Sequence, residues 1–352
     1  MRWLLSATAA LLVTAVVVTT ASSRAPRRAT APGRLIDTGL YLAGQPGVIA
    51  PENRPFSPQY PLWTDGATKH RWVYFPPGAQ IDASTPTAWD LPVGTKFWKH
   101  FEFGGRTVET RFIWRAERDH WVFATYVWDA AGTEAVLAPE SGVRGAADVG
   151  GGKQHTIPSA TDCLACHGTT KPGPLGFNAL QLSTDRDPNA VHGEPLGPEM
   201  LTLQTLLDEQ RLAGSPFDAW KDAPRIATNN PKTRTALGYL VGNCGHCHNG
   251  RGEIAALGPV LRYEELLRDA DAVAASMVGL QTKWQVPGRV EGSVLVDTHS
   301  PDQSALLVRL RSRSPSSQMP PLGTVVRDAA AVQTITDWIT RDLSAAAPRS
   351  HR

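Results

Sequence analysis

The chain lacks an excess of charge of either sign. Lys and Arg number 35 against 33 Asp and Glu, a formal net charge of +2 over 352 residues. Nucleic-acid binders concentrate a strong basic excess, so this balance argues against such a partner. It also gives no long-range field to steer a charged partner protein. Long apolar runs are missing beyond the N-terminus, which leaves one segment that could enter a bilayer. Internal repeats are missing as well, with one exception that is tied to another scarcity. Cysteine occurs four times, and all four residues fall in two short segments, TDCLACH (161–167) and GNCGHCH (242–248).

Against these absences stand 41% hydrophobic and 19% charged residues, enough apolar surface to bury a core. The length exceeds the usual range of one domain, so two are expected. The opening MRWLLSATAALLVTAVVVTTASS has a basic Arg2, an apolar run to about Val18 and then small residues. It reads as a signal peptide over 1–21, with an uncleaved anchor as the alternative. The expected location is therefore periplasmic, with the membrane touched only through that segment. Residues 22–56 are expected to be a linker or extended segment.

Tryptophan is abundant: of eleven, seven lie between Trp63 and Trp128. HRWVYF (70–75), TKFWKHFEF (95–103), RTVETRFIWR (106–115) and HWVFATYVW (120–128) are short runs of β-branched and aromatic residues and predict strands. Gly104-Gly105 predicts a type I′ hairpin turn between two of them. In the third run Val108, Thr110, Phe112 and Trp114 alternate with Glu109, Arg111 and Arg115, so one face is apolar and the other charged. The fourth run is apolar on both faces and predicts a strand covered on each side. From about Pro198 the texture is helical. Helices are predicted over 199–214, ending at Gly214, from Pro231 behind an Asn230 cap, over 263–277, and from Pro301. At the end Val332, Ile335, Trp338, Ile339 and Leu343 share one helical face. The predicted fold class is α+β: an antiparallel β-rich domain over 57–182, a helical connector over 183–229, an all-α domain over 230–345 and a tail over 346–352.

Exported cysteines in even number suggest disulfides, and C-x-x-C pairs also suit zinc or a redox dithiol. None of these requires His167 and His248 directly after the second cysteine of each pair. Covalent haem does. Two intervening residues place the sulfurs about one helical turn apart, matching two vinyl groups, and the next residue supplies an imidazole beneath the iron. Cys163, Cys166 and His167 are thus read as one haem c site, and Cys244, Cys247 and His248 as a second.

Residues from about Asn230 to Leu343 resemble a class I cytochrome c domain in GNCGHCH, LGP, QMPPLG and TDWI. The resemblance implies a helix leading into the motif, a loop carrying the sixth ligand and a terminal helix packing back. That ligand is Met319 in SSQMPPLG, a thioether in a loop stiffened by Pro320 and Pro321. Pro259 is expected to offer the carbonyl that accepts the Nδ1 proton of His248. From about Ser57 the chain resembles a family of exported dihaem cytochromes, in YPLWTDGATKHRW, IPSATDCLACH, LGFNALQLS and MPPLG. This implies two haems and electron exchange with redox partner proteins such as a periplasmic dehydrogenase or a terminal acceptor. The β-rich half closing on C-x-x-C-H is similar to cytochrome c′-β and the lysine-crosslinked cytochromes that oxidise hydroxylamine. LPVGTKFWKHFEF then places Lys99, or else Lys96, at the crosslinking lysine. The sixth position of the first haem is either open, as in a haem enzyme of the peroxidase or hydroxylamine/nitric oxide oxidoreductase kind, or filled by His155, His100, His70, His192 or Met200.

Overall fold

The computed structural model describes residues 28–85, 88–168, 173–214, 223–251, 254–290 and 292–344. The predicted signal segment and the tail lie outside them. Among the described residues no helix is long and apolar enough to cross a membrane.

The first part of the chain forms β1 (Arg54–Pro55), β2 (Thr68–Tyr74), β3 (Ile81–Asp82), β4 (Lys96–Phe103), β5 (Arg106–Glu117), β6 (His120–Trp128), β7 (Ala135–Leu137), β8 (Val143–Asp148) and β9 (Gln154–Ile157). Six of these make one sheet in the order β1-β2-β4-β5-β6-β7, with every neighbour antiparallel. The four predicted strands are its centre. Gly104 and Gly105 turn the β4–β5 hairpin with φ of 57° and 77°, the left-handed pair that a type I′ turn needs.

Strand alternation assigns the faces. On one, Trp98, Phe112 and Tyr126 pack on Leu35, Leu40 and Ala135. Residues 34–56 are therefore part of this unit, not a linker: Leu35 and Leu40 are fully buried, and β1 pairs with β2. On the other face Val73 and Phe97 pack with Phe177, Leu182, Leu201, Leu203, Leu206 and Leu212. The segment expected as a connector thus supplies four leucines, Leu201, Leu203, Leu206 and Leu212, to the second β-side core. Its helix α2 (Leu203–Asp208) is shorter than predicted. Gln210 takes φ 54°, and the Gln210 and Arg211 amides donate to the Leu207 and Leu206 carbonyls, a left-handed stop. The chain then forms β10 (Leu212–Ala213), parallel to β3, so Gly214 follows a strand and ends no helix.

Between these regions α1 (Ala160–His167) carries the first cysteine motif. The helices of the second half are α3 (Pro231–Asn243), α4 (Tyr263–Arg268), α5 (Ala270–Met277), α6 (Ala305–Arg311) and α7 (Ala329–Asp337), the last widening into a looser turn over Trp338–Leu343. Asn230 caps α3 by accepting from the Lys232 and Thr233 amides. The helix predicted over 263–277 is broken at Asp269, whose side chain caps α5. Ile335, Trp338 and Ile339 are buried against α3 residues Ala236, Leu237 and Leu240, and Trp338 Nε1 donates to Thr233 Oγ1 at 3.1 Å.

The two halves meet where Tyr60 lies on α3. A Cβ at Gly238 would sit 2.1 Å from Tyr60 Cε1, and one at Gly242 would sit 2.5 Å from the Tyr60 carbonyl oxygen. Only glycine permits that approach. Trp63 extends the seam, its amide donating to Asn243 Oδ1 at 2.7 Å and its ring stacking on His192 at 4.6 Å. Gly→Ala in a helix interior ordinarily gains about 0.5–1 kcal/mol, but overpacking costs roughly 1–3 kcal/mol. Gly238→Ala is therefore expected to lower the urea midpoint. A raised midpoint would show that Tyr60 is not seated on the helix.

Candidate functional site

The first motif is not preceded by a helix; it is the helix. Ser159 and Asp162 form a capping box at its start, Ser159 Oγ accepting from the Asp162 amide at 3.1 Å and the Ser159 amide donating to Asp162 Oδ2 at 3.0 Å. Pro158 precedes the cap, where its ring does no harm. One turn then presents Cys163, Cys166 and His167 together. None of the eight helix residues is fully buried, and Leu164 is 53% exposed, so α1 packs on the rest of the chain through its half-buried face alone.

His167 donates Nδ1–H to the Gly173 carbonyl at 2.7 Å and lies 5.1 Å, ring to ring, from Phe123 of β6. Burial pushes its pKa down to about 4, so the ring is neutral and Nε2 keeps its lone pair. At the second motif the Cys247 and His248 amides both donate to the Cys244 carbonyl, at 3.0 and 2.8 Å, which folds the motif into one tight turn. His248 Nδ1 donates to the Leu257 carbonyl at 3.0 Å, not to Pro259 as expected. The cause is Gly258: at φ +75° the backbone swings past the ring, and a Cβ there would lie 3.1 Å from Nδ1. Burial again lowers the imidazole's pKa. Each motif thus offers two thiols and a neutral imidazole with Nδ1 fixed by a backbone carbonyl and Nε2 without a hydrogen bond among the described residues, a donor set that fits covalent haem.

None of the four cysteines is in a disulfide. Burial raises the pKa of Cys163 and takes Cys244 to about 12. A hydrogen bond to Cys247, then burial, takes Cys166 to about 12, while the same bond lowers Cys247. A redox dithiol needs a depressed thiol beside its partner; the first pair has none. The two motifs also touch. Cys166, His246 and Cys247 bring their ligand atoms within 4.8 Å of one another, and Cys247 Sγ lies 4.0 Å from the Ala165 carbonyl. His246, inside the second motif, belongs to the site although only its neighbours were singled out in the sequence.

Met319 lies in the loop after α6. Its amide donates to the Arg309 carbonyl at 3.1 Å.

The other candidate ligands separate by face. His70, Lys96 and His100 point to the side of the sheet away from α1, by alternation from Lys99. Lys96 donates to the Thr38 carbonyl at 2.8 Å. His192 is bound to Asp328 at 3.0 Å, and Met200 sits in a turn closed onto Gly197. His155 is buried with both ring nitrogens committed, Nδ1 to Asp65 Oδ2 at 3.0 Å and Nε2 to Glu109 Oε1 at 3.1 Å. It is therefore no ligand. Lys99 remains on the α1 face, its Nζ 4.8 Å from the Phe101 ring centroid. Burial, with Arg71, Lys69 and Arg111 nearby, lowers its pKa well below the ordinary value.

No family model, characterised protein or solved structure matches this chain. The site stands on its geometry.

That geometry includes a chain of buried charge. Arg111 is bound bidentately by Glu109, at 2.7 and 3.2 Å; Glu109 holds His155, and His155 holds Asp65. Asp65 Oδ1 in turn accepts the Val325 and Val326 amides at 2.7 and 2.8 Å, just past the methionine loop. Burial alone would raise Glu109, but Arg111 and His155 bring it down to about 2. Burial alone would lower His155, but its two carboxylate partners raise it. Removing one member of a buried ionic set costs roughly 3–5 kcal/mol, and His155→Leu is expected to destabilise the fold by that order in urea at pH 6. Because the folded pKa is the higher one, the imidazolium's contribution is complete below about 6.5 and fades as pH rises through the folded value. The gap between wild type and variant should therefore narrow above that pH. A gap that widened with pH would contradict the charged state.

Proposed function

We propose that the chain is an exported, periplasmic dihaem c-type cytochrome whose function is electron transfer. One haem c is carried on Cys163, Cys166 and His167, and the other on Cys244, Cys247 and His248. The observation that supports this most is the contact between the motifs: their neighbouring cysteines, Cys166 and Cys247, share one 4.8 Å cluster. Groups attached at those two sulfurs would be close neighbours. A bound haem supplies a one-electron iron couple. The chain's part is to aim the imidazoles through Gly173 and Leu257 and to hold the two motifs together along the Tyr60 seam.

In this reading residues 230–345 form a class I cytochrome c domain. Helix α3 leads into the motif, the terminal helix packs back on it, and Met319 is the sixth ligand of the second haem. The β-sheet unit closes on the first motif. Redox proteins, such as a periplasmic dehydrogenase on one side and a terminal acceptor on the other, are the partners. A second reading has one observation in its favour: Cys166, His246 and Cys247 are three neighbouring ligands of types that zinc accepts. It leaves His167, His248, Cys163 and Cys244 without a role.

Met319→Ala is expected to abolish the weak near-infrared sulfur-to-iron band and to lower the potential of one haem. An unchanged band would place the sixth ligand elsewhere. In the reduced protein, carbon monoxide should leave the second haem's spectrum unaltered; a wild-type second haem that bound it would contradict methionine ligation.

A further inference from the structure

The electron-transfer reading leaves one feature of the β-sheet unused. Arg71, Lys99 and Arg111 are direct cross-strand neighbours on β2, β4 and β5, in a row that faces α1. Lys69 adds a fourth cation two residues from Arg71 on the same face. Like charges side by side in a sheet destabilise it, and burial makes the conflict worse. Two carboxylates answer on that face. Glu194 accepts from Arg71 Nη1 at 2.8 Å and from Ser57 Oγ at 2.6 Å. Glu109 is already divided between Arg111 and His155. Asp328 lies further off and is committed to His192.

The remainder is uncompensated. Arg71 is 5% exposed, and its Nη2 is buried without any hydrogen-bond partner. Lys99 Nζ makes no hydrogen bond among the described residues; it lies over the Phe101 ring, over which the Arg111 guanidinium also sits at 4.3 Å. A buried guanidinium N–H left unpaired costs more than an ordinary lost hydrogen bond, so a row of this kind persists where something negative completes it.

We propose that Arg71 and Lys99, backed by Arg111, form a half-buried anion site that takes a carboxylate or a small oxyanion of similar size. Charge-assisted N–H···O⁻ bonds are the strong class of hydrogen bond, and the Arg71 guanidinium is already desolvated. The carboxylate has two possible sources: a free anion from solution, or a carboxylate of the group carried on the first motif. The second source alone rests on the dihaem reading.

The two are separated in the exported protein. Melting temperature is measured against added nitrite, with chloride replaced to hold ionic strength constant. For a free anion, wild type is expected to gain a few degrees at a hundredfold excess over the dissociation constant, and Lys99→Met to gain nothing. For an attached carboxylate, both curves are flat, and the propionate bending mode in the resonance Raman spectrum shifts between wild type and Lys99→Met. Arg71→Lys, which keeps the charge and loses Nη2, repeats either loss where Arg71→Gln fails to fold. Flat curves together with an unshifted mode overturn the proposal. A preparation without haem absorbance removes the dihaem reading and the second arm together, and the nitrite titration then decides the anion site by itself.

Discussion

The seating of Tyr60 on Gly238 and Gly242 is the constraint on which the rest of the molecule depends. It brings the strand side of the chain into contact with α3, and α3 ends where the second cysteine motif begins. The path of that helix past the sheet therefore sets where Cys247 lies relative to Cys166. Trp63 and Asp65, from the same short segment, carry the seam on to Asn243 and to the backbone after the methionine loop. One run of sequence, YPLWTDG, thus contacts the start of the second motif and the far end of its loop.

Electrostatics divides between a set that closes and a row that does not. Arg111, Glu109, His155 and Asp65 alternate in sign, and each charge meets its opposite within about hydrogen-bond reach, so their burial is tolerable. Beside that set Arg71 meets Glu194 through Nη1 alone, leaving Nη2 unpaired, and Lys99 has no hydrogen-bonded carboxylate among the described residues. The contrast lies in a single sheet face and comes from strand register: Arg71, Lys99 and Arg111 align because β2, β4 and β5 pair without a slip at those positions.

Much of the β-unit was legible in the sequence because alternation and the paired glycines are local signals. All four central strands and the Gly104-Gly105 turn were read from them. The start of α3 was legible for the same reason, since Asn230-Pro231 is a complete cap signal. What failed was settled by distant contacts. Gly214 looked like a helix end, but Gln210 turns the chain earlier so that β10 can reach β3. Residues 34–56 looked like linker, but Leu35 and Leu40 have a sheet face to cover. His155 looked like a ligand, and only the approach of Asp65 and Glu109, far away in sequence, shows it committed. The donor sets of both motifs were visible from spacing; their mutual contact was not, because nothing local in either motif encodes the Tyr60 seam.

The central claim is that both C-x-x-C-H motifs carry covalent haem. The intact mass of protein matured through export, followed by the masses of the peptides containing 163–167 and 244–248, tests it most directly. The account predicts the polypeptide mass plus two haems, one on each peptide, with no free thiol left to alkylate. An unmodified polypeptide that alkylates at four cysteines, or that retains zinc through Cys166 and Cys247, would contradict it.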